Sequence, residues 1–88
     1  MPFLCVLTEK EKKYLEVLAR KLREYRKEKK LSQAQVAFEI STGRTHYTKI
    51  EKGIVNPGII LLTRLAEIFE VPLTKLLPDE LELNESTV

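Results

Sequence analysis

The chain of 88 residues predicts an all-α fold, a compact bundle of five helices with an extended first helix. Three observations predict it. Two capping-box pairs, Thr8 with Glu11 and Ser32 with Gln35, each open a run whose apolar residues recur at three- and four-residue spacing. Gly43, Gly53 and the Asn56–Pro57–Gly58 triplet interrupt the runs that follow. No alternating apolar pattern is long enough for a strand, the single candidate being FLCVL at 3–7.

The first helix is expected from about Glu9 to Lys29, with Tyr14, Leu15, Leu18, Leu22 and Tyr25 as one buried stripe and a densely charged opposite face. Its RKEKK cluster at 26–30 reads as part of that solvated face. Ser32 caps the second helix, Gln35 reaches back to it, and Leu31 staples against Val36. That helix must end near Ser41, because Gly43 and a new pattern follow at once. The third helix runs from about Arg44 to Lys52, with Gly53 just past its end. A fourth, the most apolar, covers about Ile59 to Phe69. A short fifth is expected between Pro72 and Leu77, stopped by Pro78. The organisation read from these signals is an apolar arm at 1–7, one domain at 8–78 and an acidic tail at 79–88. A second core would need roughly 50 residues of its own.

Net charge is only +2, but it is unevenly placed. All 15 basic residues and nine of the 13 acids precede residue 79, so that body carries about +6. A basic body suits a polyanionic partner. A single cysteine, Cys5, makes an internal disulfide and a multi-cysteine metal site impossible within the chain, and reads as a small apolar packing residue. PFLCVL at 2–7 is too short for a signal-peptide core, and no run approaches the roughly 20 apolar residues of a membrane span. The expectation is a cytoplasmic protein without a membrane partner.

At about 100° per residue, the third helix divides cleanly. Tyr47, Ile50 and Glu51 fall on one side, with His46 on its flank, while Arg44, Thr45, Thr48, Lys49 and Lys52 share the other. The first side holds the apolar residues and must face the core. The second carries three cations and two hydroxyls without an acid, unlike a solvated face laced with Glu–Lys pairs. Arginine can pair with two acceptors of guanine, threonine can bond a base edge, and Lys52 suits a phosphate. Two short helices joined by a tight turn hold such a helix clear of the body, so that it can enter a major groove. Gln33, at the amino end of the helix before the turn, has a side-chain donor and free backbone N–H groups for a phosphate. His46 is the only histidine and has no nucleophile or second ligand at matching spacing. It reads as a partly packed polar residue, with a DNA contact as the alternative. No carboxylate pair, nucleophile triad or phosphate loop appears, so neither an enzyme nor a cofactor or metal site is expected.

The stretch LSQAQVAFEISTGRTHYTKIEKGIVNP, residues 31–57, resembles the phage-repressor type of helix-turn-helix, the Cro and xenobiotic-response-element family. The resemblance runs from about Leu22 through Leu77 and rests on Ser32–Gln33, Val36–Ala37, Ile50–Glu51, Gly53 and Asn56–Pro57, continuing through Leu62, Leu65, Ala66 and Val71. It implies a lambda-repressor-like domain with its helix-turn-helix at about 32–52. It also implies base contacts from Arg44, Thr45 and Lys49, with Thr48 close to the groove, and phosphate contacts from Gln33 and Asn56. Arg26 and Glu51 are implied to form an internal ion pair, which agrees with the inward side of the wheel. The implied partner is double-stranded DNA, a palindromic operator bound by a homodimer of a small regulator, a repressor in the first instance. Such a protein would be nucleoid-associated when bound. An antitoxin or adaptor whose main partner is another protein is the alternative reading. The dimer surface is expected at either the apolar arm or Ile59, Ile60, Leu61 and the Leu73–Leu83 segment. The pattern is broken where Ser41 stands for the usual turn glycine, Thr42 for an apolar residue, Gly43 for a serine cap and Glu70 for a helix-ending glycine. A turn less rigid than usual is expected.

Overall fold

The computed structural model describes residues 7–85. Cys5 and most of the apolar arm therefore lie outside the described residues. Five α-helices follow in order: α1 (Glu9–Glu28), α2 (Gln33–Glu39), α3 (Arg44–Glu51), α4 (Gly58–Phe69) and α5 (Glu80–Glu85), with a 3-10 turn at Leu73–Lys75. Among the described residues there is no strand.

Both expected capping boxes form. Thr8 Oγ1 accepts from the Glu11 amide at 3.1 Å while Glu11 Oε1 accepts from the Thr8 amide at 2.9 Å. Ser32 and Gln35 exchange the same two bonds at 3.0 and 2.7 Å. Each pair satisfies donors that the first helical turn leaves without an intrahelical partner. The core gathers one face of every long helix. Leu18 and Leu22 of α1 meet Val36 and Ala37 of α2, Tyr47 and Ile50 of α3, and Leu62, Leu65 and Phe69 of α4. Tyr25 stacks on Phe69 with ring centroids 6.0 Å apart.

The expected fifth helix at 72–77 is instead the 3-10 turn, closed by Lys75 N–H to Pro72 C=O and Leu76 N–H to Leu73 C=O, both at 2.9 Å. Pro72 is extended at ψ 148° and stands outside the turn, and Leu77, which precedes Pro78, is driven away from helical dihedrals, so only residues 73–76 are left. The fifth α-helix, α5, lies within the stretch read as an acidic tail. It has its own capping box, in which Asp79 Oδ1 accepts from the Glu82 amide and Glu82 Oε1 from the Asp79 amide. Leu83 is buried, and Lys21 of α1 reaches Glu82 at 2.8 Å and the carbonyls of Lys75 and Leu77 at 3.3 Å. One α1 lysine thus ties the 3-10 turn to α5. The buried stripe of α1 also differs from the expected one. Val17 is buried, whereas Tyr14, expected inside, is 36% exposed.

Candidate nucleic-acid interface

α2 and α3 are joined by a turn built from backbone bonds. Ser41 N–H donates to Phe38 C=O at 3.1 Å and Thr42 N–H to Ala37 C=O at 2.9 Å, which is a Schellman motif with Ser41 as its left-handed residue at φ 60°. Arg64 of α4 donates to Ile40 C=O at 3.0 Å and anchors the end of α2. α3 ends the same way. Gly53, at φ 77°, donates to Ile50 C=O, and Ile54 N–H to Lys49 C=O. A Cβ at Gly53 would stand 3.3 Å from the Leu15 carbonyl oxygen, so α1 crosses here at a distance that only glycine leaves unstrained.

The inner side of α3 is Tyr47, Ile50 and Glu51, each at most 2% exposed. Among the described residues Glu51 is the one buried charged residue. Arg26 clamps its carboxylate from two nitrogens, Nε to Oε2 at 2.6 Å and Nη2 to Oε1 at 3.1 Å, and spends Nη1 on the Leu31 carbonyl at 2.9 Å. Arg23 donates to the Glu51 backbone carbonyl. Gln33 Nε2 donates to Glu51 Oε1 at 2.9 Å, and Gln33 Oε1 accepts from the Thr48 hydroxyl at 3.0 Å. Burial pushes the Glu51 carboxyl up. The hydrogen bonds from Arg26 and Gln33, with the Arg26 charge, outweigh it and hold the group below the usual carboxylate range. Burial, reinforced by the neighbouring Glu51 charge, pushes the Tyr47 phenol far above its ordinary range, so it stays neutral.

On the outer side, Arg44, Thr45, Lys49 and Lys52 are exposed and Thr48 is half-buried. With Gln33 they line a shallow hollow of about 350 Å³ whose wall contains no acid. None of the ion pairs among the described residues takes Arg44, Lys49 or Lys52. Two residues singled out in the sequence stand apart from the hollow. His46 is exposed on α3 but does not line it, and is not the packed side chain expected from the wheel. Asn56 lies in the α3–α4 loop, where its Oδ1 accepts from Gly58 N–H at 3.2 Å. It borders a separate apolar depression with Tyr14, Leu15 and Leu62. What sequence reasoning missed is the bond chain from Thr48 through Gln33 to Glu51. Its only sequence signal is that Thr48 and Glu51, three residues apart on one helix, share a flank.

An amino-acid row of cations and hydroxyls, carried on the second of two short helices and backed by a buried ion pair, defines the class as helix-turn-helix proteins. Residues 22–76 match the family model described as Helix-turn-helix, and the chain belongs to that family, in its phage-repressor (xenobiotic-response-element) branch. It is 36% identical over 59 residues, 67% of this chain and 53% of the relative, to the cryptic phage CTXphi transcriptional repressor RstR of Vibrio cholerae. It is 34% identical over 70 residues, 78% of this chain and 46% of the relative, to the HTH-type transcriptional regulator SlrR of Bacillus subtilis (strain 168). The chain therefore spans about half the length of these relatives. Among solved structures it resembles the restriction-modification controller protein C.AhdI from Aeromonas hydrophila, with TM-score 0.68 and 29% identity over 70% of this chain and 94% of that one. The hypothetical transcription factor NHTF from Neisseria shares the fold along 97% of both chains, with TM-score 0.72 and 24% identity.

Proposed function

We propose that this protein binds double-stranded DNA sequence-specifically as a small transcription regulator, a repressor in its simplest form, with α3 in the major groove. The observation that carries this reading is the acid-free hollow on the outer side of α3, where three cations in no ion pair among the described residues and two hydroxyls converge. Arg44, Thr45 and Lys49 read base edges, and Thr48 stands close beside them. Lys52 holds a phosphate, as does Asn56 through the amide hydrogens left free by its turn bond. Gln33 keeps one amide hydrogen for a phosphate. The relatives' names, a repressor and a transcriptional regulator, support the reading.

One α3 covers only a few base pairs, so the protein acts as a two-fold dimer on half-sites about one helical turn apart. Ile59 and Ile60, 57% and 63% exposed at the start of α4 among the described residues, favour that assembly because they are adjacent large apolar side chains left more than half uncovered. The test is selection of bound duplexes from a random pool, followed by affinity against salt. A palindromic motif supports the proposal. A steep salt slope without a motif would mean phosphate binding alone, and no binding at moderate salt would remove DNA as the partner.

A further inference from the structure

Thr48 sits at the edge of the DNA-facing hollow, but its hydroxyl hydrogen points inward. The bond chain behind it permits only one direction of donation. Glu51 has a side chain 1% exposed and is gripped from two nitrogens by Arg26, so its carboxylate cannot turn away. An ionised carboxylate accepts and never donates. The group of Gln33 that meets it at 2.9 Å must therefore be the NH2. That orientation leaves the Gln33 carbonyl oxygen facing Thr48 at 3.0 Å, and a carbonyl oxygen only accepts. Thr48 must then give its single hydrogen to Gln33. Reversing the amide would set its oxygen against the Glu51 carboxylate and its NH2 against a hydroxyl that has another choice.

Resting on the reading that α3 enters the major groove, we propose that Gln33 is a positioning residue that fixes the hydrogen-bond polarity of Thr48. The Thr48 hydroxyl meets DNA as an acceptor, and the base it faces is an amino base, adenine or cytosine, rather than guanine. Adenine N6 and cytosine N4 donate into the major groove, whereas guanine N7 and O6 both accept. An acceptor-only threonine cannot bond guanine or a phosphate oxygen. The buried pair Arg26–Glu51 thereby reaches the DNA surface as specificity, through two hydrogen bonds rather than through its charge.

Duplexes are selected from one random pool with the wild type, Thr48→Val and Gln33→Leu, each checked for helicity by circular dichroism. Thr48→Val keeps the shape without the hydroxyl, and the base pair whose preference it alters is the one Thr48 faces. At that position the wild type is expected to favour adenine or cytosine over guanine by roughly threefold to tenfold, the worth of one hydrogen bond. Gln33→Leu frees the hydroxyl to donate and is expected to raise guanine to parity there, with the base preferences at the other positions unchanged and overall affinity lowered by the lost phosphate contact. A wild-type preference for guanine at that position overturns the proposal, and this comparison stands even if Gln33→Leu does not fold. So does a folded Gln33→Leu that keeps the wild-type base preference at that position or relaxes base preference at every position alike, and so does a Thr48→Val that changes no position. In all of these a wild-type motif exists and the DNA reading survives. A wild type that selects no motif removes both.

Discussion

Glu51 is costly to bury alone. Its carboxylate is stable inside because Arg26 grips it from two nitrogens and Gln33 adds a third bond. Glu51→Ala leaves Arg26 and Gln33 without their partner, and is expected to cost about 3–5 kcal/mol, measured by urea unfolding. That is a large part of the 5–15 kcal/mol typical of a small domain. The pH dependence follows from the depressed carboxyl. Its stabilisation is complete above the unfolded-state value of about 4.3 and is lost as pH falls through the lower folded value. The melting temperature should fall steeply below about pH 4.3 in the wild type and less steeply in Glu51→Gln. Ser41 is strained at φ 60°, where glycine is not, so Ser41→Gly is expected to gain roughly 1 kcal/mol and raise Tm by about 4–8 °C. Gly53→Ala should lose at least about 1 kcal/mol, since the left-handed conformation and the nearby Leu15 carbonyl both oppose a side chain.

Each of α1 to α4 ends in a Schellman-type pair of bonds, yet only Gly53 supplies the expected glycine. Lys30, Ser41 and Glu70 take the left-handed position at the other three ends. The two capping boxes, the two sides of α3 and the Gly53 stop were legible because each is local, set by spacings of three or four residues. α5 was not. Its six residues are too few for a periodic stripe, and what holds them is distant in sequence, Lys21 meeting Glu82 and Leu83 entering the interior. The Asp79–Glu82 capping box was the available signal, overshadowed by a composition that resembles a tail. The Gln33 bridge was illegible for the same reason, because a hydrogen bond spanning 18 residues leaves no periodicity. Lys21→Met is expected to release α5, read as faster amide exchange across 79–85 with DNA affinity unchanged. At the outer face of α3, Lys52→Ala should reduce the salt slope of DNA binding by about one unit without altering the selected motif.

The whole chain is nearly neutral, but among the described residues no ion pair sets an acid against the cations on the outer side of α3. Glu80 and Glu82 fold back to pair with Lys10 and Lys21 of α1, and Glu51 is consumed inside by Arg26. Arg44, Lys49 and Lys52 keep their positive potential, which attracts a polyanion at moderate salt. Sedimentation should show a dimer at tens of micromolar or on DNA, and Ile59→Glu with Ile60→Glu should leave a folded monomer with weaker operator binding. The most direct measurement is a fluorescence titration of the selected duplex and a scrambled duplex of equal length, comparing wild type with a folded variant carrying alanine at Arg44, Thr45 and Lys49. The wild type is expected to prefer the selected duplex, and the variant to bind both equally weakly. A variant that keeps the wild-type affinity and preference would show that α3 does not read DNA.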